Sequence, residues 1–325
     1  MQSFIRQVFS AFLFMLSLSA LAQESSNFPS RPITWLIGAA PGGGSDIFAR
    51  TVAQAMSSNM GQPVLVVNKP GASSIIAAEQ LKMAPKDGYT ILTADNGTLV
   101  FNAALFKKLP YNVKTDFDYV TLMMRVPLLL VSNPSFPARD YRSFVELVRS
   151  QPGKFNYASP GIGIPHNLAV QFILEREKLD VQAVQYKGGG PAAQDVIAGQ
   201  VPFMVLDSIA ARPFIRGGQL RAIVSLSEKR LPEFADVPAI SEYGVTDVEL
   251  SAWQGMVVPR GTPSPIIERL QAEYKKAINE PSVQRRLREM GVETLSSSSK
   301  EFQTLVDREI AQWHPLIASR GIKAD

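Results

Sequence analysis

Four short segments of the sequence combine glycine with small polar residues, and each follows a predicted strand and opens a predicted helix. They are 39–46 (AAPGGGSD), 95–98 (DNGT), 159–165 (SPGIGIP) and 187–191 (KGGGP). Glycine lets the backbone approach a ligand closely, and the first amides of a helix lack intrahelical partners, so such turns favour an anion. If several of these helix ends meet in one cleft, they can hold a carboxylate without arginine. The alternative for each segment is ordinary turn chemistry.

Residues for catalysis are scarce in this sequence. There is no cysteine, and two histidines, His166 and His314, are too few to favour a zinc site built by the protein. The sequence has no G-x-S-x-G, no phosphate-binding G-x-x-x-x-G-K, and no third glycine at dinucleotide-binding spacing. Asp46 is either a first-turn acid that stabilises its helix or a catalytic group. We therefore expect no enzyme activity, no metal and no cofactor.

The two histidines have different interpretations. His166 lies early in a predicted helix, where it could orient a ligand, cap the helix or be solvated. His314 lies beside Trp313 in the C-terminal helical region, and its predicted role is structural.

The charge balance is mildly basic. Lysine and arginine number 33 against 29 acidic residues, a net charge of +4, and no run of Lys or Arg exceeds two residues. Mild basicity suits a small anionic ligand as well as it suits nucleic acid, and without a basic patch we expect no nucleic-acid partner.

Residues 1–22 have the composition of an export signal. Arg6 precedes an apolar segment at 8–21, no acidic residue occurs, and the segment ends in Ala20-Leu21-Ala22. The alternative, a membrane anchor, needs roughly 20 apolar residues, which this segment does not reach. We predict cleavage near Ala22 and a periplasmic protein, and without cysteine no lipid is attached.

Short β-branched runs alternate with amphipathic segments in the remainder of the chain, which predicts an α/β fold with parallel sheets flanked by helices. The predicted strands are 33–38, 64–68, 90–94, 128–131, 156–159, 184–186, 203–206, 221–225 and 254–258. The predicted helices are 45–59, 73–83, 143–151, 167–178, 192–198, 265–279, 282–290 and 300–319.

Nine strands of these lengths are too many for one short parallel sheet, and no linker divides the chain into two sequential domains. We therefore predict two lobes joined by two chain crossings, at 119–131 and 250–258. The first lobe is discontinuous and comprises 23–125 plus 249–325, and the second comprises 126–248.

A series of short motifs extends from Phe28 to Ala324 and carries a family resemblance. They are PSRPI at 29–33, PGGGSD at 41–46, GQPV at 61–64, NKPGA at 68–72, DGYT at 87–90, KLPY at 108–111, YAS at 157–159, YKG at 186–188, DVP at 236–238 and PRGTP at 259–263. In this order and spacing the chain resembles the substrate-binding proteins of tripartite tricarboxylate transporters, the Bug family of periplasmic binding proteins.

The resemblance implies an α/β, two-lobe periplasmic binding protein fold of type II, a Venus flytrap in which each lobe is a mostly parallel sheet flanked by helices. It implies a monomer that closes over a small organic carboxylate and delivers it to membrane permease subunits. By position, the ligand would be held by Pro41, Gly42, Gly43 and Ser45 in one lobe, and by Ser159, Gly161, Gly163, Ile164, Pro165 and His166 in the other. Asp207 matches an acid that faces the cleft in relatives; its alternative role is a helix cap.

Several positions depart from the family pattern. Gly38 and Ala39 stand where relatives often have proline and an aromatic residue, and Ile162 and Ile164 stand where polar residues are common. Ile75 and Ala77 replace the usual asparagine and glycine of the second loop. Because aliphatic side chains remove hydrogen-bond partners from the cleft, we expect a ligand less polar than citrate, such as an aromatic or aliphatic monoacid.

Other classes of function make different predictions. An exported enzyme would turn over a candidate acid, but it needs a nucleophile with a base or paired carboxylates in a cleft. A structural or adhesive envelope protein would bind no acid. A ligand-dependent sensor partner would be encoded beside a sensor kinase, whereas a transport protein would be encoded beside large and small membrane subunits.

Overall fold

The computed structural model describes residues 28–39, 41–42, 44–186, 188–246 and 250–324. The predicted signal peptide at 1–22 and its cleavage near Ala22 lie outside the described residues. Strands and helices alternate along the described chain, which confirms the predicted α/β class, and helices dominate after residue 260.

The strands have the following bounds among the described residues: β1 Ile33–Ile37, β2 Val64–Asn68, β3 Thr90–Asp95, β4 Phe117–Ser132, β5 Asn156–Ser159, β6 Gln182–Gln185, β7 Phe203–Asp207, β8 Arg221–Ser225, β9 Ser251–Pro259 and β10 Glu293–Thr294. The α-helices are α1 Gly44–Met60, α2 Ile75–Lys82, α3 Asn102–Leu105, α4 Val113–Asp116, α5 Tyr141–Arg149, α6 Pro165–Glu177, α7 Gly189–Ile197, α8 Ser208–Arg216, α9 Ser264–Ile278, α10 Pro281–Met290 and α11 Ser299–Ser319. A π-helical turn at Gly97–Phe101 leads into α3, and 3₁₀ turns occupy Ala72–Ser74, Pro232–Phe234 and Ile240–Tyr243.

The strands form two groups, each with its helices, and we call these the first and second lobes. In the first lobe the order is β2-β1-β3-β9-β4, with β1, β2 and β3 parallel and β9 antiparallel to both β3 and β4. In the second lobe β6, β5 and β7 are parallel, and β4 pairs antiparallel with β7 and with β8. In each group most strands run in the same direction, as predicted, although the pairings that involve β4 and β9 are antiparallel.

The strand β4 belongs to both lobes. Its segment Phe117 to Pro127 pairs with β9, and its segment Leu128 to Ser132 pairs with β7 and β8. We predicted a strand only at 128–131 inside an apolar crossing at 119–131, whereas one continuous strand of 16 residues spans the crossing. The predicted lobe boundaries at 126 and 248 stay predictions, and residue 248 lies outside the described residues.

The C-terminal helix α11 connects the lobes on one side of the sheet. It packs on β4 and contributes Phe302, whose ring lies 5.6 Å edge-on from Trp253 of β9. Farther along, Trp313 contacts Phe172 of α6 in the second lobe with ring centroids 6.3 Å apart. The helix is therefore shared by both hydrophobic cores.

Sequence reasoning missed the helix α8. Pro213 lies inside it, and a proline in a helical pattern removes one backbone donor and argues for a break. The helix nevertheless forms, because Asp207 caps its start and Ala211 is fully buried against the second lobe.

Candidate functional site

The first glycine-rich turn joins β1 to α1. Gly42 has a φ of +80°, in the left-handed region that favours glycine, and its amide donates a hydrogen bond of 2.9 Å to Asp46 Oδ2. Pro41 and Gly42 are exposed, and Gly43 lies outside the described residues. The turn therefore presents accessible backbone to the solvent at the start of a helix.

The carboxylate of Asp46 holds this turn through hydrogen bonds. Its carboxylate is 4% exposed and accepts hydrogen bonds from Arg50 Nε at 3.0 Å and from Asn68 Nδ2 at 2.8 Å. The bond from Arg50, with those from Gly42 and Asn68, outweighs the effect of burial and lowers the pKa of Asp46 to about 2. Of the two interpretations, these contacts favour the first-turn acid over a catalytic group.

Ser45 connects the first turn to the centre of the sheet. Its hydroxyl accepts a hydrogen bond of 2.5 Å from Gln254 Nε2. Gln254 belongs to β9, where it pairs with Asp95 of β3 and with Met124 of β4. The start of α1 is thus held to β9 beside Met124, a few residues before β4 changes partners.

The second turn joins β5 to α6 and is supported by a neutral network. Ser159 is fully buried and accepts a hydrogen bond of 2.9 Å from Asn167 Nδ2. The same amide group donates to the Tyr157 hydroxyl at 2.8 Å, as does Gln171 Nε2 at 2.7 Å. These contacts fix the turn without an ionised side chain.

The second turn ends in an open helix terminus. Pro165 occupies the first helical turn, and Ile164 before it has no side-chain acceptor for the first amides of α6. Gly161 is half-buried, and Gly163 has a φ of +71° with Leu105 of α3 directly beside it, so a Cβ at Gly163 would overlap that leucine. A turn of the second lobe therefore contacts a helix of the first.

His166 and Asp207 face each other within the second lobe. His166 Nε2 lies 3.7 Å from Asp207 Oδ2, while Asp207 Oδ1 accepts a hydrogen bond of 2.8 Å from the Ala210 amide and caps α8. Burial raises the pKa of Asp207, but His166 and the Ala210 amide outweigh it, so the pKa is lowered overall. The cap interpretation is thus realised, and the second oxygen faces His166. His166 Nδ1 is buried and has no hydrogen-bond partner among the described residues.

The remaining two glycine-rich turns adjoin the first two. In the turn after β3, Asn96 Nδ2 donates to the Ser251 carbonyl of β9 at 2.9 Å. In the turn after β6, the Gly188 amide donates to the Pro160 carbonyl at 3.0 Å. Because α6 also packs against β9, the start of β9 links the turns of both lobes.

The positions that depart from the family pattern do not share one environment. Ile162 is 47% exposed on the second turn, whereas Ala77 of α2 is fully buried. Ala77, which stands where relatives have glycine, packs its side chain in the hydrophobic core. Gly38 lies against Ser74, where a Cβ would overlap the serine side chain.

Sequence reasoning missed three contributors to this arrangement, namely Asn68, Leu105 and Gln254. Gln254 offered a signal, because it is a polar residue at the start of an otherwise apolar predicted strand. His314, predicted to be structural, contacts the Val100 carbonyl at 2.8 Å. Within the described ranges, no three His, Asp or Glu side chains are grouped to hold a metal ion. None of the helices described is both long and apolar enough to cross a bilayer.

The chain is similar to proteins of a known family. Residues 48–322 match TctC, described as the tripartite tricarboxylate transporter family receptor. A protein of Pseudomonas sp. (strain P51), described as the UPF0065 protein in the tcbD-tcbE intergenic region, is 35% identical over 314 residues, which cover 96% of this chain and 93% of that protein.

Solved structures agree with the family match. The periplasmic binding protein BugD is 30% identical with a TM-score of 0.75, covering 91% of this chain and 99% of its own. MatC from Rhodopseudomonas palustris with bound malate is 32% identical, with a TM-score of 0.75 and coverage of 89% and 100%. Rpa4515 of R. palustris with adipate is 29% identical, with a TM-score of 0.78 and coverage of 91% and 99%. With the two-lobe fold and the ordered motifs, these matches confirm that the chain belongs to the TctC receptors of tripartite tricarboxylate transporters, the Bug family of periplasmic solute-binding proteins.

Proposed function

We propose that this protein captures a small organic carboxylate between its lobes and delivers it to the permease subunits of a tripartite tricarboxylate-type transporter. One observation carries the proposal: the turn that opens α1 is hydrogen-bonded to the central strand β9, on which α6 also packs. Ser45 is hydrogen-bonded to Gln254, and Gly163 packs on Leu105 across the lobes. Amides from opposite lobes can then bind one carboxylate only when the lobes are closed, so the ligand stabilises closure.

The proposed contacts divide between backbone and side chain. Backbone amides of both turns would donate hydrogen bonds to the carboxylate. In the first lobe these amides belong to Gly42 and Ser45, and in the second to the segment 161–166. His166 would present Nδ1 to the ligand, and Asp207 would orient the ring from its other side. Pro41, Gly43 and Ser159 complete the proposed set.

The ligand we propose is less polar than citrate. Ile162 exposes nearly half of its surface on the second turn, which favours aliphatic or aromatic contact over hydrogen bonding. Two solved relatives are described with adipate and with malate, which are both small carboxylic acids.

A thermal unfolding panel tests the ligand class. The purified protein is heated with benzoate, hexanoate, adipate, malate or citrate at equal concentrations. A ligand that binds only the folded state adds RT ln(1 + [L]/Kd), about 2.7 kcal/mol at 100 Kd. We expect adipate or one of the monoacids to raise the midpoint more than citrate does. If citrate stabilises the protein most, the ligand is not less polar than citrate, which contradicts the proposed class. If no acid stabilises the protein, capture itself is contradicted.

Matched serine variants test the site. Ser45→Ala removes the hydroxyl held by Gln254, and we expect the affinity for the best acid to fall about tenfold, near 1.4 kcal/mol. Ser58→Ala on the exposed side of the same helix is the control, because the Ser58 hydroxyl donates to the Gln54 carbonyl of its own helix. Equal affinities of the two variants would exclude the first turn from the site.

Delivery needs a separate test. Proteoliposomes containing the large and small membrane subunits should take up the bound acid only when this protein is added. Binding without uptake would contradict delivery and favour the alternative role as a partner of a sensor.

A further inference from the structure

A cavity of about 940 Å³ opens between the lobes. Its floor includes Pro127 of β4 and Ser251 of β9, next to the point where β4 changes partners. One wall is formed by α8 and residues 226–233 of the second lobe, and the other by residues 288–293 and α11. Among the described residues, its lining contains none of those proposed above for the carboxylate site.

The lining of this cavity is strongly basic. It contains six cationic side chains and three acidic ones, a net formal charge of +3, whereas the entire chain carries +4. The cations are Arg125, Arg212, Lys229, Arg230, Arg288 and Arg308, and the acids are Glu228, Glu233 and Glu293. This concentration of charge in a concave site between two lobes favours an anion with more than one negative charge.

Arg212 spans the gap between the two lobes. Its side chain projects from α8 of the second lobe and lies against Gly291 of the first lobe. A Cβ at Gly291 would overlap the guanidinium of Arg212. Gly291 has a φ of +74° and ends α10. The Nε atom of Arg212 is buried and has no hydrogen-bond acceptor among the described residues. The guanidinium of Arg212 thus reaches the backbone of the other lobe, while its Nε lacks an acceptor among the described residues.

Gln312 adds a second donor from the opposite wall. It lies on α11 and lines the cavity, and its Nε2 is also buried without an acceptor in the described part of the chain. Buried donors that lack acceptors are costly, and they are rare in folded proteins. An oxyanion in the cavity would provide acceptors for both Arg212 and Gln312, because each of its oxygens accepts more than one hydrogen bond.

We propose that this cavity is a second binding site for a small multivalent oxyanion, either inorganic phosphate or a tricarboxylate, separate from the site of the captured acid. Since both lobes line the cavity, the bound anion favours the arrangement in which Arg212 reaches Gly291. The site therefore couples anion binding to lobe closure.

Titration calorimetry of the purified protein tests the site with two probes, inorganic phosphate and tricarballylate, at low ionic strength. We expect at least one probe to bind saturably, and we expect Arg212→Gln to weaken it at least tenfold. Lys276→Gln is the matched control, because Lys276 is exposed on α9 and does not line the cavity. The site is overturned if neither probe saturates, or if the control variant weakens binding as much as Arg212→Gln does.

A second variant separates binding from folding. Gln312→Leu removes a donor without an acceptor, so in buffer without either probe its unfolding midpoint should equal or exceed that of the wild type. Its affinity for the bound probe should nevertheless fall at least fivefold. A lower midpoint with unchanged affinity would assign Gln312 a structural role and contradict its place in the site.

Two further measurements test whether the two sites are independent and whether anion binding is coupled to lobe closure. Ser45→Ala should retain the wild-type affinity for phosphate even where it loses affinity for the captured acid, so failure of one proposal leaves the other standing. Small-angle scattering should show a smaller radius of gyration when the probe is bound. Saturable binding with no change in this radius would overturn the coupling to closure.

Discussion

The two turns proposed to hold the carboxylate have similar backbones but different anchors. The turn of the first lobe depends on an ionised group, because the Asp46 carboxylate accepts hydrogen bonds from Arg50, Asn68 and the Gly42 amide. The turn of the second lobe depends on neutral groups, because Asn167 donates hydrogen bonds to the buried hydroxyls of Tyr157 and Ser159. Open helix termini can therefore be held either by charge, which responds to pH, or by a neutral network, which does not.

The surroundings of the two turns also differ. At Gly42 no atom of the described residues beyond its chain neighbours lies within 4 Å of the position a Cβ would take, whereas at Gly163 the side chain of Leu105 occupies that position. The first turn is held within its own lobe, by Asn68 and Gln254, whereas the second also packs on Leu105 of the opposite lobe.

The largest effect should come from this difference in packing. Gly163→Ala combines a left-handed φ with overlap on Leu105, so we expect a loss of about 3 kcal/mol in the free energy of unfolding, measured with urea. Gly42→Ala has a φ of +80° but open space, and should cost only about 1 kcal/mol. Equal losses would show that the contact across the lobes contributes nothing to stability.

The neutral network should give the next effect. Asn167→Ala removes two buried hydrogen bonds, so the Ser159 hydroxyl loses its donor and the Tyr157 hydroxyl keeps the one from Gln171; we expect about 2 kcal/mol of destabilisation. Because no member of this network ionises on moderate acidification, the loss should be the same at pH 7 and pH 4. Gln171→Ala, which removes one bond to Tyr157, should cost about half as much.

The charged anchor should give a smaller effect that depends on pH. The pKa of Asp46 is lowered from 3.8 to about 2 in the folded protein, so its stabilisation is full above pH 3.8 and is lost as the pH falls through 2. Arg50 is half exposed, and solvent screening reduces the effect to about 1–2 kcal/mol. Asp46→Asn should be destabilised by this amount at pH 7.

Urea unfolding at a series of pH values measures the loss for Asp46→Asn. The difference from the wild type should shrink from pH 4 to pH 2, whereas that of Asn167→Ala should not. Parallel curves for the two variants would remove the distinction between a charged and a neutral anchor.

The smallest effect concerns strain beside the first turn. Ser73 has a φ of 51°, a left-handed conformation that costs a residue with a side chain about 1 kcal/mol, so Ser73→Gly should raise the free energy of unfolding by that amount. Ser58→Gly is the opposite control, because Ser58 lies inside α1, where glycine costs roughly 0.5–1 kcal/mol. The two thermal midpoints should move in opposite directions, and a loss for Ser73→Gly would contradict the strain.

Most strands and helices were predictable because their side-chain patterns are local. The predicted bounds of β2, β5 and β8 agree with the structure residue for residue. The full length of β4 was not predictable, because its pairing changes from β9 to β7 and β8 partway along and nothing local marks the whole strand. The two-residue strand β10 forms only because β4 offers it an edge.

The candidate site was predictable in its turns and not in their supports. Glycine and early helix residues mark the turns in the sequence, since their conformations are required locally. Asn68, Leu105 and Gln254 join the site through partners at least 22 residues away, as the Asn68 bond to Asp46 shows. No local pattern reports such a contact.

The α/β class, the order of the family motifs and the turns that open α1 and α6 could be predicted from local patterns, because each depends on neighbouring residues. The tertiary structure decided which of those turns are anchored by charge, which glycine borders the opposite lobe, and that six cationic side chains meet in one cavity. The physical reason is that burial, pKa shifts and steric contact arise between segments that are distant along the chain, and they exist only once β4 and β9 bring those segments together.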